Sequence, residues 1–272
     1  MRTSMHEWPL VVFSSLAIAS AGTLAAEPWL AVIGAGDPAV ARQRAGWAAA
    51  LMVVGLIASA GHLGRPARFA LASRRFGASA LSTEVVLGAL VAAAGSVLAL
   101  SPARAPWTQG LAWTSALLSL AFLVSLGLVY RLRGQVVWRG ASVVSPLLAG
   151  LAFGVVAHVA AAPGTLPRLL VPALVLLGID GVAHGTRWRR VARVDSWLAP
   201  SYPHVFRYRH LLLTGRLLLV NLAPAVLLLV ASATLADLLI GVGLLVDRLA
   251  FYGLAVQHTT EAEVARAETA IE

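Results

Sequence analysis

His62 and Glu84 flank the stretch HLGRPARFALASRRFGASALSTE, the most polar segment in the first half of the chain. It joins two long apolar runs, so both side chains fall at the edge of whatever those runs enter. An imidazole titrates near neutrality and a carboxylate is tunable by burial, so the two together suit proton transfer. The same residues also read as a polar loop in which Ser82 caps the next helix near Glu84. Further on, Asp180 and His184 stand at i, i+4 and share a helix face, as a relay pair or as a satisfied ion pair. Asp247 and Arg248 are neighbours, about 100° apart around a helix, so each calls for its own partner. Arg216 is one such partner for Asp247, and a structural pair between helices is the plainer reading of it.

Metal and cofactor chemistry is narrower. The sequence has no Cys, which removes disulfides, thiolate zinc, self-held iron–sulfur clusters and covalently attached haem. Haem b needs two His at one depth. His158 falls near the side-B end of the fifth run and His184 near the side-A end of the sixth, on opposite sides of the membrane, and nothing in the spacing favours His62 with His184, so the reading is no haem and no metal in this chain. Phosphate-loop, zinc-protease and serine-hydrolase motifs are missing from the sequence.

The elements that position these groups follow from composition. Of 272 residues, 59% are hydrophobic and 12% charged, with mean hydropathy +0.81. That excludes a water-soluble globule and a disordered chain. A bilayer core of about 30 Å needs roughly 20 apolar residues per helix. Eight runs qualify, near 9–31, 45–62, 84–100, 109–130, 141–162, 168–184, 211–233 and 238–256. They are continuous rather than alternating, so the expectation is an all-α integral membrane protein with eight transmembrane helices and no β-sheet. Residues 1–256 form one domain, followed at 257–272 by a short acidic, solvent-exposed tail. Trp8 and Trp29 bracket the first run, and Trp47, Trp107, Trp113, Tyr130, Trp138 and Trp188 fall near other ends. The sixth run is short and holds Pro172. Small-residue stretches such as Ala17–Ala26 suit close helix packing. Leu24-Ala25-Ala26 before Glu27 resembles a signal-peptide cleavage site, but Glu7, Trp8 and Pro9 make a poor leader start.

All 21 basic residues are Arg, and the net charge is +9. With the N-terminal side called side A, 15 Arg belong to its loops and ends and 4 to side B (Arg42, Arg44, Arg104 and Arg168). The positive-inside rule then puts side A and both termini in the cytoplasm. Loop arginines between apolar runs indicate anionic lipid or an acidic partner rather than nucleic acid. Asp180, Asp247, Arg216 and Arg248 could alternatively line a solute path in a multi-pass transporter or permease, whose mark would be paired broken helices in matching halves. No such pair is evident.

Several segments resemble one family, the membrane anchor subunit of dimethyl sulfoxide reductase and related molybdopterin oxidoreductases (the DmsC family). They are HEWPL at His6–Leu10, HLGRPAR at His62–Arg68, and GASALS at Gly77–Ser82 followed by Glu84. Arg248 with Phe251-Tyr252 resembles the C-terminal GRxxFY pattern, with Asp247 in place of Gly. The resemblance implies a bacterial or archaeal cytoplasmic (inner) membrane protein without a catalytic centre, in a quinol-dependent oxidoreductase of anaerobic respiration. Such an anchor binds quinol, usually menaquinol, and passes electrons to a ferredoxin-like iron–sulfur subunit feeding a molybdopterin catalytic subunit. It places Glu84 and His62 nearest the quinol headgroup, with Arg65 and Arg68 beside them. Partner docking then belongs on side A, over Arg74, Arg75, Arg187, Arg189 and Arg190. Asp180, His184, Arg216, Asp247 and Arg248 are the secondary polar candidates. Many family members work outside the cytoplasm, whereas the Arg count puts side A inside; the size of the charge bias favours the cytoplasm.

Overall fold

The computed structural model describes residues 8–62, 76–77, 80–102, 105–129, 141–192, 199–200, 203–254 and 256–257. Among these, eight long helices form one bundle: α1 (Trp8–Val32), α2 (Pro38–His62), α3 (Ala80–Leu100), α4 (Thr108–Val129), α5 (Ala141–Ala161), α6 (Leu166–Ala192), α7 (Arg209–Leu229) and α8 (Ala233–Gly253). Seven are long and apolar enough to cross a membrane. The eighth, α8, is 21 residues long but carries Asp237, Asp247 and Arg248. The only extended pairing among the described residues is a two-residue antiparallel ladder, Ala199–Pro200 with Val256–Gln257. It takes in Gln257, the first residue of the segment read as a solvent-exposed tail; residues 258–272 lie outside the described residues.

α1 is the hub, packing on α2, α4, α5 and α8. Its Ala- and Ser-rich sequence explains why. Ala17, Ala21 and Ala25 are fully buried, and at Gly22 a Cβ would collide with the backbone of Gly150 on α5. A Cβ at Gly150 would stand 3.0 Å from the Ile18 carbonyl. Small residues let the two backbones approach, and in lipid such packing replaces the hydrophobic drive. Hydroxyls tie the hub to its neighbours: Ser20 donates to the Ala48 carbonyl on α2 at 2.6 Å, and Ser15 to that of Leu244 on α8 at 3.2 Å. Large apolar side chains point outward instead, including Ile57, Leu117, Val171 and Val182. That arrangement suits hydrocarbon rather than water.

Several boundaries differ from the sequence reading, each for a local reason. α2 starts at Pro38, not near 45, because the Asp37 carboxylate accepts the Ala39 amide at 2.7 Å and that of Val40 at 3.3 Å. Asp followed by Pro is an N-cap and first-turn signal. Arg42 and Arg44 therefore belong to the helix, not to a loop. α1 stops at Val32, two residues before Gly34, which has φ +70° and lets the Ala35 amide reach back to Leu30 at 2.8 Å. The sixth element, expected to be short, is the longest at 27 residues despite Pro172. In α7 the ladder widens into a π turn at Leu218–Leu222. Pro224 follows, and it has no amide for the carbonyl at 220 and crowds it, so the ring size opens.

Candidate functional site

Helix alternation places His62, Glu84, His184 and Arg248 toward side A, and the α1–α2, α3–α4, α5–α6 and α7–α8 connections on side B. Three buried polar groupings result.

The first is Glu84, one turn into α3. It is 1% exposed, and neither carboxylate oxygen has a hydrogen-bond partner among the described residues. Gly88, one turn below on the same face, approaches Leu56 and Met52 of α2 and Phe122 of α4. Glu84 thus stands at the side-A mouth of an apolar seam between helices. Ser82 does not cap α3: the helix begins at Ala80, so Ser82 lies within it. It is Thr83 whose hydroxyl accepts the Gly77 amide, at 3.2 Å. His62 is the last residue of α2, hence at the same end. Its side chain, that of Arg190, and Arg65, Arg68, Arg74 and Arg75 lie outside the described residues.

The second grouping is an ion network joining α5, α6, α7 and α8. Arg216 bridges Asp180 at 2.6 Å and Asp247 at 3.3 Å. Arg187 meets Asp247 at 2.9 Å. The widened turn of α7 delivers Asn221, which accepts from Arg216 at 2.6 Å and donates to Asp180 at 3.0 Å and to the Leu177 carbonyl at 2.7 Å. Ser145 on α5 accepts from Arg216 at 3.3 Å. Sequence reasoning missed Asn221 and Ser145.

Three expectations need correction here. Arg248 does not seek a separate partner: its Nε donates to the neighbouring Asp247 carboxylate at 2.9 Å. A long guanidinium stem can curl back across the 100° that separates adjacent residues. Its guanidinium lies 4.7 Å from the Phe251 ring centre. Asp180 and His184 do not form a hydrogen bond; Asp180 is held by Arg216 and Asn221, and His184 Nε2 meets the Leu213 carbonyl at 2.9 Å. Arg187 is not on the side-A surface. It is 3% exposed and turned into the network, whereas Arg189 is exposed.

The third grouping, not foreseen as a unit, lies toward side B. Glu27 of α1 pairs through Oε1 with Arg44 of α2, which also donates to the Gly154 carbonyl of α5. His158 Nδ1 is 3.6 Å from the same Glu27 oxygen, and its Nε2 meets the Ala35 carbonyl at 2.9 Å. The missed signal was Asp37-Pro38, which carries Arg44 two turns into a helix. Among the described residues no group of three or more His, Cys, Asp or Glu is placed to hold a metal.

Residues 1–254 match the family described as DMSO reductase anchor subunit (DmsC). The protein is 30% identical over 195 residues to YnfH, a component of anaerobic dimethyl sulfoxide reductase in Escherichia coli K12, covering 67% of this sequence and 69% of that one. It is also 30% identical over 244 residues to the C subunit of anaerobic dimethyl sulfoxide reductase from the same strain, covering 80% and 84%. A match over nearly the whole length, with the eight-helix bundle that the sequence leads one to expect, makes this protein a member of the DMSO reductase anchor subunit family, a membrane-embedded, non-catalytic subunit of an oxidoreductase complex.

Proposed function

We propose that this anchor oxidises a membrane quinol, menaquinol in the first instance, at the side-A end of α2 and α3, with Glu84 as proton acceptor and His62 in support. The observation that carries the reading is the buried carboxyl group of Glu84 with both oxygens unengaged among the described residues. An ionisable group at a membrane helix end is costly, and one left unpaired is a functional candidate. Quinol oxidation releases two protons and two electrons. A carboxylate at the headgroup takes a proton, and an imidazole nearby offers a second station. Arg65 and Arg68 orient the headgroup oxygens.

The electrons leave to a ferredoxin-like iron–sulfur subunit docked on side A, which feeds a molybdopterin catalytic subunit. Arg74, Arg75, Arg189 and Arg190 supply the steering charge, in the cytoplasm by the positive-inside rule. Arg187, buried against Asp247, is withdrawn from that role. Haem and iron–sulfur centres belong to no part of this subunit's task. The solute-path alternative loses its support, because Asp180, Arg216, Asp247 and Arg248 are engaged with one another.

The test is reduction of the partner's clusters by menadiol in proteoliposomes that hold the assembled complex. Reduction should require this subunit. Equal rates from complexes lacking it would overturn the reading.

A further inference from the structure

A cavity of about 380 Å³ opens on side B, where α1 meets α2 and α3 meets α4. That is within the range of small-molecule sites. Leu98, fourteen residues beyond Glu84 on α3, forms part of its wall. At 1.5 Å per residue the cavity is therefore about 20 Å from Glu84. Pro28, Pro106 and Trp113 give it flat apolar walls, and Glu27, Arg42 and Gln109 give it polar ones.

Two of those polar groups are incomplete. Glu27 is 3% exposed, and while Oε1 holds Arg44, Oε2 has no hydrogen-bond partner among the described residues. The buried Nε of Arg42 likewise lacks one, although its Nη1 donates to the Ser101 carbonyl at 3.3 Å. A buried carboxylate oxygen without a donor is expensive. The cavity wall thus offers one acceptor and one donor beside flat apolar surface.

We propose that this cavity is a second binding site for a hydroquinone headgroup, distinct from the one at Glu84. One ring hydroxyl donates to Glu27 Oε2, and the opposite ring oxygen accepts from Arg42. The oxidised quinone has no donor for Glu27, so the site selects the reduced form. It binds without oxidising: no electron step is assigned to this end of the bundle. The identity of the ligand rests on the quinol reading above; the location rests on the cavity and its two unengaged groups.

The experiment is photolabelling of the membrane-embedded complex with an azido-naphthohydroquinone, followed by mapping of the adducts. Adducts are expected within residues 28–42 and 105–113, displaced by menadiol and not by menadione. Ala112→Phe fills the cavity and leaves the Glu27–Arg44 pair intact. It should lower that labelling roughly tenfold or more, because the added ring takes up the space that the headgroup needs and overpacking is costly. Gln109→Leu, at an exposed lining position, should lower it less, and Glu84→Gln should leave it unchanged. Adducts confined to the α2–α3 end would overturn the second site and leave the quinol reading standing. Absence of adducts at both ends, together with absence of quinol-driven turnover, would overturn both. Labelling at the cavity that menadiol does not displace would make it a lipid pocket and overturn the proposal.

Discussion

Glu84 and Asp247 are both carboxylates buried in membrane helices, at the same side-A end of the bundle, yet their surroundings are opposites. Asp247 receives guanidinium groups from Arg187, Arg216 and Arg248. Glu84 receives no hydrogen bond from any described residue. Burial of charge alone therefore does not mark a site. A charge satisfied on every side is cement between helices, since its pairs cannot be broken without leaving a buried ion behind. A carboxyl group left open keeps its oxygens for something that arrives.

Breaking the cement should have the largest effect. Asp247→Ala leaves three buried guanidinium groups without their shared partner, a loss on the order of 3–5 kcal/mol. Detergent-solubilised protein should unfold at markedly lower temperature or fail to accumulate, as read by fluorescence-detected size exclusion. Normal yield and melting would mean that the network is not structural.

Next comes the hub. Gly22→Leu forces a side chain into the α5 backbone at Gly150, and overpacking of a tight contact costs about 1–3 kcal/mol or more. The melting temperature should fall, whereas Gly185→Leu, where nothing crowds the added atoms, should be nearly silent. Equal shifts from both would mean that the close crossing of α1 and α5 does not set the stability of the bundle.

The smallest effect belongs to the surface. Arg189, which is exposed, replaced by Gln together with Arg190 should slow association with the iron–sulfur subunit mainly at low salt, because an exposed charge acts by steering and is screened. Membrane insertion should be unchanged. Association equally fast at low and high salt would move the docking face elsewhere.

These two regions are unequally legible in the sequence. Helix number, the membrane class and the placement of Glu84 at a helix start can be read there, because long apolar runs and a polar loop between them leave few alternatives. The pairing of Arg216 with Asp247 is also within reach, since depth along two adjacent helices restricts partners. Arg187 falls beyond the apolar run that ends at His184, and hydropathy alone assigns it to a loop. Yet 180, 184 and 187 follow helical spacing, so one face already carries all three. Asn221 is illegible: it enters the network through a π turn imposed by Pro224, and a shift of register of that kind leaves no periodic trace. The Glu27–Arg44–His158 group needs a tertiary fact, the meeting of α1, α2 and α5, which spacing along one helix does not contain.

The contrast between a paired and an open carboxylate is tested most directly by Glu84→Gln in the assembled, membrane-embedded complex, with turnover measured from quinol and from a soluble donor that feeds the partner subunits. Gln keeps the size and cannot accept the proton. Melting, assembly and soluble-donor turnover should be unchanged, and quinol-driven turnover should fall by roughly 100-fold or more, as the role of Glu84 as general base requires. Full quinol-driven turnover in an assembled Glu84→Gln complex would contradict it, and the proton acceptor would have to be sought elsewhere in the protein.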